Sequence, residues 1–284
     1  MIGSRARTFA ELVKWEHTIF ALPFAYVGAF LGAQGFPTAA QAFWILVAMF
    51  GGRTAAMALN RLIDRAIDAE NPRTAGRHLP RGLIGTAEVL AFTVASFALL
   101  ILAAYELNPL CVKFLPIVVP VLTFYSYTKR FTWACHFWLG LSYVFVPFGG
   151  WIAVTGRLEL APFVLGIVAG LWVAGFDIIY ATQDIDFDRR EGIHSIPARF
   201  GLAAALGAAR AIHAVVVLLL LVFGLWLKLG NVYLAGVTIV AALLYYEHAI
   251  ISPRDLSRLN AAFFNVNGYI SIVLFVFTAA AVIL

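Results

Sequence analysis

Asn60, Asp64 and Asp68 recur at intervals of four inside a strongly apolar stretch. Asp177, Tyr180, Asp184 and Asp188 form a similar series further along the chain. A carboxylate costs about 2.5–3.5 kcal/mol at the centre of a membrane helix, so residues of this kind mark a site or a pathway. Offsets of three, four and seven put each series on one face of a helix. Oxygen ligands in that pattern suit Mg²⁺, which takes one or two carboxylates and completes its shell with water and phosphate oxygens. Either series alone could be a salt-bridged helix end, but two in one chain point to a shared divalent-cation site. Asp186 lies roughly 160° around the helix from Asp188 and ranks below the others.

Cations accompany both series. Arg53 lies seven residues before Asn60 on nearly the same face, while Arg61 and Arg65 point elsewhere. Arg73, Arg77 and Arg81 follow the first series, and Lys129 and Arg130 fall between the two. Arginine offers an anion a two-pronged fork and lysine a point charge. Arg81, Arg189, Arg254 and Arg258 read better as anchors at the membrane surface. Carboxylates beside cations at membrane depth fit a metal-bridged polyanion. A lipid diphosphate would supply that anion and explain why the site is in a membrane.

The elements that must position these residues are membrane helices. Of 284 residues, 62% are hydrophobic and 12% charged, with a mean hydropathy of +0.90, which excludes an ordinary soluble domain. The apolar runs are continuous rather than alternating, so helices are expected and a barrel is not. Nine spans are predicted near 17–35, 41–64, 87–105, 110–127, 133–154, 162–184, 205–228, 231–250 and 261–283. They form an all-α polytopic bundle, one domain over 1–284, around a central lipid-accessible cavity. Arg and Lys gather before the first span and in alternate loops, which places the N-terminus and both acidic series at the cytoplasmic face. The same loops account for the net charge of +5 through anionic headgroups, with no nucleic-acid partner needed. No cleavable signal sequence is expected, because the first apolar run is a full span. Cys111 and Cys135 match no metal or redox spacing. Four spans separate the two acidic series, which hints at a pseudo-repeat of parallel sense.

Three motifs carry a resemblance: Asn60-x-x-x-Asp64-x-x-x-Asp68, Asp177-x-x-Tyr180-x-x-x-Asp184-x-x-x-Asp188, and Tyr125-x-x-x-Lys129. Together they resemble the signature of the UbiA-type intramembrane aromatic prenyltransferases, and the likeness covers nearly the whole chain. The runs from Lys14 to Tyr26 and from Arg53 to Arg61 are similar to the bacterial 4-hydroxybenzoate polyprenyltransferase-like branch of quinone synthesis. Arg77-His78 departs from the Arg-Pro of many relatives, which touches the local loop shape and not the phosphate role of Arg77.

The resemblance implies Mg²⁺-dependent transfer of a polyprenyl group from its diphosphate to 4-hydroxybenzoate or a related hydroxyaryl acid, at the bacterial inner membrane. Asn60, Asp64, Asp68, Asp184 and Asp188 would hold the metal. Arg53, Arg77, Lys129 and Arg130 would take the diphosphate charge. Tyr125, Tyr127, Tyr143 and Tyr180 offer π faces to an allylic cation, and Asp177 is the expected base if burial raises its pKa. Asn267 and His17 are expected to meet the acceptor, with Asn265 and Lys14 as further options, while His136, His194, His213 and His248 read as structural. Three alternatives stay open: a 1,4-dihydroxy-6-naphthoate polyprenyltransferase of the futalosine route, a sister enzyme with another acceptor, and an ion-coupled secondary transporter.

Overall fold

The computed structural model describes residues 8–14 and 18–284, so His17 lies outside the described residues. After a helical turn over residues 8–12, the chain is a succession of helices. These are α1 (Thr18–Ala33), α2 (Ala39–Ile63), α3 (Arg65–Glu70), α4 (Thr86–Leu107), α5 (Pro109–Thr128) and α6 (Cys135–Thr155). There follow α7 (Leu160–Ala181), α8 (Ile185–Arg190), α9 (Ile196–Phe200), α10 (Leu202–Trp226), α11 (Gly230–Ala249) and α12 (Asn267–Ile283). A π-helical turn, Ala261–Val266, leads directly into α12.

Local chemistry sets several of these limits. Thr38 and Gln41 close a capping box at the start of α2, satisfying amides that a helix N-terminus leaves orphaned. Asn108 caps α5, with Pro109 in the first turn where a missing N–H costs nothing. Gly156 ends α6 in the left-handed conformation, at φ 60°.

Among the described residues, eight helices are long and apolar enough to cross a membrane, counting Leu160–Arg190 as one through its bend. The first of the nine expected spans corresponds to α1, of which 16 residues are described, about 24 Å of helix. It packs as a bundle helix. A methyl group on Gly28 would run into the Pro147 carbonyl, and one on Gly150 into that of Ala25, so α1 and α6 meet backbone to backbone. Small residues at such crossings are the usual means of close helix contact in membranes. The main core joins α1, α7, α10, α11 and α12 around Trp172, which stacks on Phe24 at 4.9 Å.

Both acidic series sit at bends. Asp64 separates α2 from α3 at φ −92°, ψ 4°, and Asp184 separates α7 from α8 at φ −107°, ψ 9°. The stripe expected from Asn60 to Asp68 survives its bend because the backbone bonds Asp64 N to Asn60 O and Asp68 N to Asp64 O persist, at 2.9 and 2.7 Å. In the second series a 3₁₀ turn, Thr182–Asp184, tightens the helix before α8.

Candidate active site

Asp64 is buried where α2 bends, and cations of the α5–α6 loop reach it. Lys129 Nζ donates to Asp64 Oδ2 at 2.7 Å, and Asn60 Nδ2 donates to the same oxygen at 2.8 Å. Arg130 Nη2 stands 3.1 Å from Asp64 Oδ1, yet that oxygen has no well-aligned hydrogen bond among the described residues. Asp68 takes Arg77 Nη1 on both oxygens at 2.7 Å, with Arg61 Nη1 at 4.0 Å.

The second series is held the same way. Arg73 forks onto Asp184, Nε to Oδ1 at 2.9 Å and Nη2 to Oδ2, and Asn71 Nδ2 adds a bond of 2.9 Å. Arg73 also donates to the Tyr180 hydroxyl at 3.2 Å. Burial by itself would weaken the Arg73 guanidinium's hold on its proton, but the Asp184 carboxylate outweighs this and raises its pKa. Asp188 is buried with a neutral partner, Ser195 Oγ, at 2.8 Å. Asp177 accepts from His136 Nδ1 at 2.7 Å.

These side chains share a cavity of about 480 Å³. The acids Asp64, Asp68, Asp177, Asp184 and Asp188 line it together with Asn60, Arg73, Arg77 and Lys129. Its other arm is apolar and reaches Ile45, Cys111 and Ile152. Nineteen residues of α2 separate Ile45 from Asp64, about 28 Å of helix, so the arm runs much of the bundle's depth. Tyr125, Tyr143 and Tyr180 line the wall, and Tyr180 stacks on Phe263 at 4.1 Å.

Several expectations need correction. Arg130 does not line the cavity; it donates to the carbonyls of Ser126 and Ile63, both at 2.8 Å, tying α5 to the end of α2. Asn267 is fully buried away from the cavity. Its amide accepts from Trp172 Nε1 at 2.8 Å and donates to Glu247 and to the Ala262 and Phe263 carbonyls at 3.1–3.2 Å. Those two carbonyls belong to the π turn, which explains why an amide stands there. Arg53 lines the cavity, but about 10 Å along α2 from Asn60, and donates to the Val13 and Lys14 carbonyls at 3.1 and 2.9 Å. Arg61 turns inward rather than away. Three contributors were missed, Asn71, Ser195 and His136, and Arg73, expected to grip an anion, forks onto Asp184 instead. Ser195 carried a signal, since Ser followed two residues on by Pro197 is a helix N-cap pattern. His136 carried none, because its partner lies 41 residues away.

Comparison with known proteins decides the family. The family model described as "UbiA prenyltransferase family" matches residues 21–269. The chain belongs to this family. Among curated UbiA relatives, a 4-hydroxybenzoate octaprenyltransferase of Vibrio atlanticus is 27% identical over 277 residues, covering 95% of each chain. That of Aliivibrio fischeri strain MJ11 is also 27% identical, covering 99% of this chain and 98% of its own. The apo UbiA homologue of Aeropyrum pernix K1 superposes with a TM-score of 0.85 at 36% identity, covering 92% of this chain and 96% of its own. A UbiA homologue of Archaeoglobus fulgidus, bound to GPP and Mg²⁺, has a TM-score of 0.75 at 18% identity, covering 97% and 99%. The chain is therefore a multi-pass membrane prenyltransferase of the UbiA fold, which sets the transporter reading aside.

The residues present fit a Mg²⁺–diphosphate pair rather than a self-sufficient metal site. Among the described residues no three His, Cys, Asp or Glu side chains gather closely enough to hold an ion alone. Mg²⁺ seldom needs such a cage when phosphate oxygens share the coordination. The buried Asp64 Oδ1 without an aligned donor marks a lone pair left for a ligand.

Proposed function

We propose that this enzyme transfers a polyprenyl group from a polyprenyl diphosphate to a small hydroxyaryl acid of the 4-hydroxybenzoate kind, within quinone synthesis. One observation carries the proposal: two cation-paired acidic motifs stand over an apolar arm of one cavity. A charged head and a long hydrocarbon tail are accommodated together. The names of the curated relatives support the acceptor class.

Asn60, Asp64, Asp68, Asp184 and Asp188 would hold Mg²⁺, which supplies charge neutralisation to the leaving diphosphate. Arg73, Arg77 and Lys129 would leave their carboxylates for phosphate oxygens, Arg73 and Arg77 by their forks. The apolar arm keeps water from the allylic carbon, and the faces of Tyr125, Tyr143 and Tyr180 stabilise positive charge there. Arg53, which lines the same cavity as Tyr143 and Asp177, would receive an acceptor carboxylate. Asp177 would take the ring proton. The positive-inside pattern of the basic loops supports a site on the cytoplasmic side of the bacterial inner membrane.

The test is product mass. Purified protein in lipid nanodiscs receives Mg²⁺, one prenyl diphosphate and a panel of hydroxyaryl acids, naphthoates, homogentisate and a glycerol lipid. The expected product is a prenylated hydroxybenzoate. Prenylation of only a non-carboxylated acceptor, or of none, defeats the reading.

A further inference from the structure

His136 is nearly fully buried, and both of its ring nitrogens are spoken for. The Ile196 backbone N–H donates to Nε2 at 3.3 Å. A backbone amide can only donate, so Nε2 is the bare nitrogen and the neutral ring carries its proton on Nδ1. That proton points to Asp177 Oδ2, 2.7 Å away. The neighbour of Ile196 completes a chain: Ser195 Oγ donates to Asp188 Oδ2 at 2.8 Å and accepts the Ala198 amide at 3.2 Å, capping α9. The peptide joining Ser195 to Ile196 therefore connects a metal-motif carboxylate to the Asp177–His136 pair. His194 N anchors the same loop to the Lys129 carbonyl at 2.7 Å.

We infer that His136 is a positioning residue, which holds Asp177 by its Nδ1–H so that the carboxylate stays aimed at the acceptor ring. The inference rests on reading Asp177 as the group that takes the ring proton. The need for such a hold is electrostatic. Asp177 lines a cavity that Lys14, Arg53, Arg61, Arg73, Arg77 and Lys129 also line. A carboxylate with a free torsion in that company turns toward the nearest cation and is lost as a base. A fixed imidazole N–H occupies Oδ2 and leaves Oδ1 outside that bond.

In the step served, a ring carbon bonds to the prenyl C1 with a ring π pair. The C1–O bond breaks, its electron pair leaving with the diphosphate. The C–H pair then returns to the ring and the proton passes to Asp177. A slack Asp177 slows only this last transfer. It leaves diphosphate binding untouched.

Two replacements separate positioning from packing. The His136→Asn amide can stand where Nδ1 stands, whereas the His136→Gln amide reaches the Nε2 position. The readout is the deuterium isotope effect on kcat, using acceptor labelled at the attacked ring carbon. Equilibrium binding of a non-reactive prenyl thiolodiphosphate with Mg²⁺ is measured alongside. His136→Gln should lower kcat by about 10- to 100-fold, the range for outer positioning groups, and raise the isotope effect. Its KM for prenyl diphosphate and its thiolodiphosphate affinity should stay near wild type. His136→Asn should recover most of kcat and return the isotope effect toward wild type. An unchanged isotope effect in His136→Gln, or equal loss in both variants, overturns the inference. Absence of any prenylated aromatic product from the wild-type protein would overturn the underlying function instead.

Discussion

Lys129 Nζ lies 2.7 Å from Asp64 Oδ2, so a cation suited to phosphate and an acid suited to metal neutralise each other. Arg77 with Asp68 and Arg73 with Asp184 repeat the relationship. Removing one member strands its partner, at a cost that reaches about 3–5 kcal/mol when both are fully buried and is smaller here, where the cations are partly exposed. Mg²⁺ alone would strand the cations, and diphosphate alone the acids. Together they satisfy both.

Binding should therefore be synergistic. A non-reactive prenyl thiolodiphosphate and Mg²⁺ added together should raise Tm, by linkage worth about 2.7 kcal/mol at 100 times Kd. Either alone should move it little, and EDTA should remove the gain. A full shift from the thiolodiphosphate in EDTA would contradict the exchange of partners.

Asp64→Ala and Asp184→Ala should each lower prenyl transfer by about 100-fold or more, the scale of losing one major electrostatic contact in a transition state. Product formation at saturating prenyl diphosphate measures it. Near-normal turnover in either variant would remove that acid from the metal set.

Gly149 lines the cavity, and a Cβ built on it meets nothing within 4 Å. Gly149→Leu should fill that space without breaking the fold. Competition between short and long prenyl diphosphates should then shift toward the short one, read as the ratio of products. An unshifted ratio would place the tail elsewhere.

Asn267 and Glu247 should differ in their tolerance of change. Asn267→Leu leaves the Trp172 indole and the π-turn carbonyls without their partner, at about 1–3 kcal/mol for each buried group, and thermal unfolding in detergent should fall sharply. Glu247→Gln keeps an acceptor for Asn267 while removing a carboxyl whose Oε2 has no hydrogen bond among the described residues. Its stability should hold or rise. Equal losses in the two variants would contradict this account.

Much of this molecule was legible because hydropathy and spacing are local. The long apolar runs became helices, and the four-residue intervals around Asp64 and Asp184 kept their faces through two bends the spacing did not reveal. Asp186, demoted on helical angle alone, is indeed exposed. What failed was partner choice across the bundle. Arg130 and Lys129 are adjacent cations that both reach Asp64, yet Arg130 also binds helix-end carbonyls while Lys129 lines the cavity. Asn267 was expected at the acceptor because a carboxylated acceptor wants a cationic or amide partner, but its amide serves the π turn. His136 had no periodic signal at all, since its role depends on Ile196 and Asp177, each far away in the chain.

The paired charges also bear on how a cycle of the proposed reaction would end. The prenylated product carries no diphosphate, so once that anion departs nothing competes for Arg73, Arg77 and Lys129. Each is already within reach of its own carboxylate, and reunion of the pairs takes back the polar end of the chamber. The product has then lost its diphosphate contacts, keeping its hydrocarbon in the apolar arm and its carboxylate at Arg53, and the surrounding bilayer offers that hydrocarbon an equivalent home. The resting ion pairs thus act as a return spring that empties the enzyme into the membrane.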